Sequence, residues 1–484
     1  MTYRVFWLPM ADQIIRSDPV RSKLPYHWLD STYSVSSSPY SWQVKGILDA
    51  ALAAVDPYVA IQRIVRIDGS DLIIAEQIYN LKIFQRVILV GIGKAAFPMA
   101  VAMEEILGDR LTTGTIVTKD GYAAPASGMG QKRLSRTRII EAGHPIPDAR
   151  GVVASQELSQ LLQSVGNNDL VVFVISGGGS ALINSPVPGV NLADLQNFTN
   201  LLLRSGANIN QLNTLRKHLD LVKGGGLARL ASPAVMVTLV LSDVIGDPLD
   251  IIASGPTVPD ISTFQDAWSI IEELHLIDET PASIRSWLEK GRRGEIPETL
   301  KPGDPIFERM KQMIIANNYQ AASAAANQAR KYGIKALLLT SFLQGEAREV
   351  GRMMAGLARQ IQATGEPVNR PACVVAGGET TVSVRGGGKG GRNQELALGS
   401  LQGMAGLPQM MLVALATDGG DGPTEAAGAV VTGDSLDRAL KMGLEPQKFL
   451  HQNDAYPFFE SLGDLLRSGP TQTNVNDLTI LFAF

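Results

Sequence analysis

The chain has 484 residues, 43 Lys and Arg against 47 Asp and Glu for a net charge of -4, and one cysteine. That length exceeds one ordinary core and implies two or three domains. The charge balance excludes general affinity for nucleic acid or anionic membrane. The single Cys373 excludes a disulfide framework or a cysteine metal cluster, and it fits a reducing, cytoplasmic compartment.

The first 44 residues hold three of the five Trp, four of the ten Tyr and a Ser-rich stretch from Ser31 to Ser41. They lack the unbroken apolar segment of a signal peptide, and Asp12, Asp18 and Asp30 count against a transit peptide. They read as an extension with no chemistry assigned. No later apolar run reaches the ~20 residues of a membrane helix.

From residue 45 helix and strand patterns alternate. Val44–Ala60 and Met99–Leu107 read as helices, and residues 87–90, 114–118, 170–175 and 235–241 as short buried strands. Each strand runs into Gly, Ser or Asp and then a helix-like stretch, the pattern of a parallel α/β sheet. Ligands of such sheets bind at the carboxyl ends of strands. The Gly-, Pro- and charge-rich segment 291–305 reads as a linker. Beyond it come strand 312–316, helix 319–331, strand 335–339, helix 346–363, strand 372–376 and strand 411–416.

The strand-end loops carry the chemistry. The first, Gly91-Ile-Gly93-Lys94-Ala-Ala96, matches a loose dinucleotide fingerprint, with Asp120 ending the next strand. Lys94 adds charge where a phosphate or carboxylate would sit. The second, Ser176-Gly177-Gly178-Gly179-Ser180, is an anion cradle in pattern; the G-x-S-x-G elbow of a hydrolase is absent. At helical spacing Asn213, Arg216, Lys217 and Asp220 fall on or near one face. Asp243 and Asp421 stand where a carboxylate can hold hydrated Mg²⁺. Asp418 heads a Gly-rich turn suited to metal or base work. His144, in a Gly-His-Pro loop, reads as a positioned loop residue.

The densest signal is the run from Ala376 to Glu395, with seven glycines, Lys389, Arg385, Arg392 and Glu379. Without Cβ atoms its amides could close on a polyphosphate, Gly388 and Lys389 among them. A flexible linker is the alternative, although it would not need three cations. Several anion loops with strand-end aspartates point to phosphoryl transfer, which needs positioning and charge neutralisation above all.

These motifs, VGIGKAA, AGHPIPD, ISGGGSALI, NTLRKHLDLVKGGGLA, LSDVIGDPLDIIASGPT, GGETTV with GGRNQELAL, ATDGGDGPTEAAGA and TNVNDL, together resemble the type 2 glycerate kinases of the MOFRL family. The resemblance runs from about residue 45 to the C-terminus. It implies a Rossmann-like α/β domain over 45–290 and a smaller mixed α/β domain over 306–484, with the active site between them. It also implies ATP-dependent phosphorylation of D-glycerate to 2-phosphoglycerate with Mg²⁺ or another divalent cation, and leaves a homodimer open. By motif, Lys94, Arg392 and Asp418 match the residues proposed for catalysis. Ser176–Ser180 and Gly386–Gly391 would cradle phosphates, and Arg216, Lys217 and His218 would meet the glycerate carboxylate. The chain departs from the pattern at Asp220 and Gln472. An NAD(P)H-dependent hydroxypyruvate reductase, resting on the Gly91 fingerprint and Asp120, and a non-catalytic nucleotide-binding module are the alternatives.

Overall fold

The computed structural model describes Leu29, 31–123 and 133–484; most of the N-terminal extension lies outside these residues. The described chain forms two compact units, one of residues 57–123 and 133–315, the other of 29–56 and 316–484.

The first unit opens with an antiparallel meander of β1 (Val65–Asp68), β2 (Asp71–Ile74) and β3 (Gln77–Asn80). Its main sheet holds β4 (Arg86–Ile92), β5 (Thr113–Lys119), β6 (Thr137–Ala142), β7 (Asp169–Ile175), β8 (Val235–Leu241) and β9 (Met310–Ala316), in the order β6-β5-β4-β7-β8-β9. Neighbours from β6 through β8 are parallel. All seven residues of β7 are buried, as a strand covered on both faces requires. Val90, Phe173, Met236, Leu158 and Ala228 share one core between the sheet and its helices. A second core, around Phe198, Leu215, Trp268 and Leu288, joins helices Leu192–Arg204, Ile209–His218, Phe264–Glu273 and Ala282–Arg292.

Segment 291–305, read as a linker, is part of this unit. Leu300 is buried and β9 joins the sheet beyond it. Within the segment, Glu298 accepts from Phe264 N at 2.8 Å, His218 Nε2 at 3.2 Å and Lys301 Nζ at 3.1 Å. Thr299 Oγ1 donates to Asp260 at 2.9 Å. Burial alone would push the Glu298 carboxyl up; the His218, Phe264 and Lys301 contacts outweigh it and hold it down to about 2. A depressed carboxyl stabilises the fold above its unfolded value of about 4.5 and loses that contribution as pH falls toward 2. Glu298→Gln is therefore expected to flatten the stability–pH curve between those values, read as urea midpoints at stepped pH. An unchanged slope would remove Glu298 from the acid-sensitive set.

In the second unit, β10 (Lys335–Leu343), β11 (Ala372–Gly378), β12 (Met410–Ala416), β13 (Gly428–Thr432), β14 (Leu465–Leu466) and β15 (Asp477–Ala483) form a mixed sheet in the order β10-β11-β15-β12-β13-β14. The C-terminal strand β15 is central and antiparallel to both neighbours. Its first residue, Asp477, pairs with Gly378 at the end of β11 and with Ala416 at the end of β12. Helices Ala347–Thr364 and Arg392–Met404 cover this sheet with Met354, Leu396 and Leu401.

The helix expected over Val44–Ala60 is two helices, Ser41–Ala54 and Pro57–Ile64. Proline disfavours helical backbone in the residue before it, here Asp56, so the break falls there. Helix Ser41–Ala54 packs on helix Asn318–Lys331. Residues 45–56, expected in the first domain, thus belong to the second unit. The described end of the extension also has a structural task. Ser34 N and Oγ donate to the Asp464 carboxylate at 2.8 and 2.9 Å, Thr32 Oγ1 donates to Leu465 O, and Tyr40 stacks on Phe484. Among the described residues no helix is long and apolar enough to cross a membrane.

Candidate active site

In the first unit the loops after β4, β6, β7 and β8 lie at one edge of the parallel sheet. Gly91 is inside β4, where a methyl group would come within 2.4 Å of Ile116 and 3.1 Å of Val174. It serves strand packing rather than ligand contact. Gly93 adopts φ +119°, and a methyl there would lie 2.4 Å from the Ser176 carbonyl oxygen. That closeness lets the two loops lock. Lys94 N donates to Gly177 O at 2.9 Å, and Ala95 N donates to Ser176 Oγ at 2.9 Å. Ser176 is therefore a brace between loops. Lys94 and His144 flank Gly178, each with an atom within 3.4 Å of the place a methyl on it would take.

Beside them is a cavity of about 270 Å3 whose lining includes His144, Gly178, Ser180, Thr199, Asn213, Arg216, Asp220, Lys223 and Asp243. Helix Ile209–His218 carries Asn213 and Arg216, three residues apart, to this wall. Its start is fixed by Asn208, whose side chain accepts from Asn210 N and Gln211 N while Gln211 closes a capping box. Ser180 Oγ donates to Ser254 Oγ at 2.7 Å, and Ser254 Oγ to Asn213 Oδ1 at 2.8 Å.

The cations of this helix divide. Lys217 is buried and held by Asp260 at 2.7 Å. His218 is spent on the Thr214 carbonyl at 2.8 Å and on Glu298. Neither lines the cavity, which corrects the expectation that both would meet the substrate. Arg216 does line it, and its guanidinium has no hydrogen-bond or ion-pair partner among the described residues. Burial alone shifts Arg216, downward from the ordinary arginine value. A desolvated guanidinium facing a cavity is a receptor for a carboxylate or phosphate.

In the second unit the ends of β11 and β12 and the start of β15 bring together Glu379, Asp418 and Asp477 near the N-terminus of helix Arg392–Met404. Arg392 binds Asp477 through Nε at 2.5 Å and Nη2 at 3.0 Å, and Glu379 through Nη1 at 2.7 Å. Burial works against its charge, and the two carboxylates more than offset that, holding the guanidinium above its ordinary value. Three of its five N–H groups are used; two remain for an anion. Asp418 is half-buried, with Oδ1 accepting from Gly420 N at 3.2 Å.

The glycine-rich loop differs from its expected role. Arg385 N and Gly386 N donate to Asn453 Oδ1, Gly388 N to Gln452 O and Lys389 N to Asp454 Oδ1. A methyl on Gly386 or Gly388 would strike residues 452–454 at 2.4–2.5 Å. The glycines let two chain segments meet, and three amides of the expected phosphate cradle, those of Gly386, Gly388 and Lys389, are already engaged. Lys389 is also paired, 4.0 Å from the Tyr456 ring centroid and 3.7 Å from Glu425.

Asp421 does not fit the metal role assigned to it. Its Oδ1 accepts from Asn393 N at 3.1 Å and its Oδ2 from Gln394 N at 2.8 Å, so it caps the helix that carries Arg392. Burial, aided by the charge of Asp477, pushes its carboxyl up to about 7. Asp243 lines the first-unit cavity with its carboxylate against the Gly177 backbone. Among the described residues no three His, Cys, Asp or Glu side chains form a metal cage. Mg²⁺ is commonly held by one or two carboxylates plus substrate phosphates, and Asp243 suits that arrangement. Asp120, the dinucleotide candidate, is clamped by Arg150 at 2.6 and 2.8 Å.

Two family models match the chain: "Domain of unknown function (DUF4147)" over residues 43–289 and "MOFRL family" over residues 372–477. A glycerate 2-kinase of Pyrococcus horikoshii is 41% identical over 435 residues, covering 90% of this chain and 95% of that protein. The crystal structure of a glycerate kinase from Thermotoga maritima is similar with TM-score 0.80 and 38% identity, over 92% of this chain and 100% of that one. An Agrobacterium vitis protein named, provisionally, a hydroxypyruvate reductase is 40% identical over 90% of this chain and 92% of its own length. With strand-end loops of this construction and relatives matched over nearly their full length, the chain belongs to the MOFRL family of glycerate 2-kinases.

Proposed function

We propose that the chain is an ATP-dependent kinase that phosphorylates D-glycerate at the C2 hydroxyl, giving 2-phosphoglycerate and ADP. The observation that carries this reading is Arg216, without a partner among the described residues, in a small cavity lined with hydroxyl groups at the carboxyl edge of a parallel sheet. Its guanidinium would take the glycerate carboxylate, and the hydroxyls of Ser180 and Thr199 suit a small polyol acid. The C2 oxygen attacks the γ-phosphorus, the bond to the β,γ-bridging oxygen breaks, and the hydroxyl proton leaves. Lys94 and Arg392 are assigned to the charge on the transferring group. Asp418 is assigned to the hydroxyl proton, and Asp243 to a nucleotide-borne cation.

Purified protein with ATP, Mg²⁺ and D-glycerate should form ADP and 2-phosphoglycerate, separated chromatographically from the 3-isomer. Absence of turnover by folded protein would sink the reading. Arg216→Met is expected to raise KM for glycerate about 10- to 100-fold, the worth of hydrogen bonds between charged groups. KM for ATP should stay within about twofold, since the carboxylate contact is separate. The name of the Agrobacterium relative favours a second reading, NAD(P)H-dependent reduction of hydroxypyruvate. The Asp120–Arg150 clamp and the packing of Gly91 remove its local supports. Loss of NADH absorbance with hydroxypyruvate would restore it.

A further inference from the structure

The acceptor cavity contains a second cation that differs from Arg216 in one respect. Lys223 Nζ donates to Asp220 Oδ2 at 2.5 Å, to Ile183 O at 3.0 Å and to Asn184 Oδ1 at 3.2 Å. All three of its N–H groups are used. Asp220 is equally occupied, with Ser185 N on Oδ2 at 3.2 Å and Val222 N on Oδ1 at 3.0 Å. Both side chains line the cavity, Lys223 2% and Asp220 3% exposed. The pair is thus a neutral unit in the wall. Of the two cations in the lining, Arg216 alone is not matched by a described carboxylate.

We propose that the Asp220–Lys223 ion pair sets the charge of the acceptor, so that the cavity takes a monoanionic hydroxy acid and rejects a dianionic one. The inference rests on the reading that this cavity holds the acceptor. A single carboxylate on Arg216 leaves no charge unmatched. A second carboxylate would lose its water and meet Lys223 already neutralised by Asp220. Asp220 acts through Lys223 and determines specificity without touching the reacting atoms.

Hydroxymalonate is the probe, because it keeps the three-carbon skeleton and the C2 hydroxyl of glycerate and replaces the C3 carbinol with a second carboxylate. The readout is the ratio of its Ki, or KM where it is turned over, to the KM of D-glycerate. Asp220→Asn uncovers the Lys223 charge and is expected to lower that ratio about tenfold or more. Lys223→Met leaves the Asp220 charge unmatched and should raise it about tenfold, weakening both acids. The double variant Asp220→Asn with Lys223→Met should return the ratio to within about threefold of the parent. A merely structural pair would instead weaken both acids in every variant without this alternation of sign. The proposal is overturned if the single variants move the ratio in the same direction, or each by less than about threefold. If Asp220→Asn fails to fold by circular dichroism, Lys223→Met and the double variant decide the matter alone: restoration supports the pair and persistence of the loss overturns it. Arg216→Met separates the two levels. If it raises the glycerate KM while the pair variants leave the ratio flat, the cavity reading stands and this inference fails; if it too leaves the glycerate KM unchanged, the cavity reading itself fails.

Discussion

Arg392→Ala is expected to lower kcat by roughly 3–5 orders of magnitude, the range seen when an arginine that stabilises a transferring phosphoryl group is removed. The bracing of the residue supports so large a value. A guanidinium held by Asp477 on one edge and Glu379 on another gives up little freedom when it meets an anion. Its two remaining N–H groups are aimed before the reaction begins. The same bracing creates a competing effect on stability. Alanine would leave the buried Asp477 without its countercharge, and breaking a buried pair from one side costs about 3–5 kcal/mol. That is a large share of a typical domain's stability. A fall in bulk activity could then come from unfolding alone. The measurement must be kcat per folded molecule, with the folded fraction fixed by circular dichroism and a thermal melt. Arg392→Lys separates the two effects. It keeps a positive charge beside Asp477 and loses the planar fork, so it should recover much of the melting temperature and little of the rate. A loss under tenfold in folded Arg392→Ala would remove the residue from the catalytic set.

The parallel strands of the first unit were legible because they are short, apolar, rich in branched residues and closed by Gly, Ser or Asp. The meander over β1 to β3 lies outside that pattern, although Asp68-Gly69 between alternating residues is a hairpin signal. Strand β15 is likewise weakly marked in the sequence. A buried apolar run at a chain end carries no flanking turn to mark it, and only its pairing shows that it is the centre of a sheet. Sequence singles out Lys94, Arg216, Arg392 and Asp418 as candidates but does not give their surroundings. Glycine density is ambiguous in the same way. It marks places where a backbone must be approached closely, and the approaching group can be a phosphate or, as at Gly386 and Gly388, another stretch of the same chain. Charge on a helix is ambiguous as well. Lys217 and Arg216 are adjacent in sequence, and only the position of Asp260 reveals which is spent. Asp477 was visible only as part of a motif, because its partner stands 85 residues earlier.

Lys94→Met offers the cleaner separation of chemistry from folding, with kcat expected to fall about 10²- to 10³-fold, the cost of losing one preorganised charge-stabilising group. The turn that carries Lys94 is held by backbone and by its neighbours. Gly93 N donates to Val117 O, Lys94 N to Gly177 O and Ala95 N to Ser176 Oγ. None of these bonds uses the ammonium group, and methionine keeps the length of the half-buried stem. The turn should therefore keep its fold, and a thermal melt beside the kinetics checks this. The glycerate KM should also hold within a few-fold, because the carboxylate is assigned to Arg216 and not to Lys94. A loss confined to kcat, with KM preserved, is what removal of an interaction made only in the transition state produces. A rise in glycerate KM with kcat intact would instead make Lys94 a ground-state binding residue. Lys94→Arg gives the complementary test. The loop between Gly93 and Gly178 leaves no slack, with the Lys94 Cγ within 3.3 Å of the place a methyl on Gly178 would occupy. A broader, planar head group should fail there even though charge is conserved. Activity restored by arginine would mean that net charge alone suffices, and that the compact geometry of this turn is not part of the catalysis.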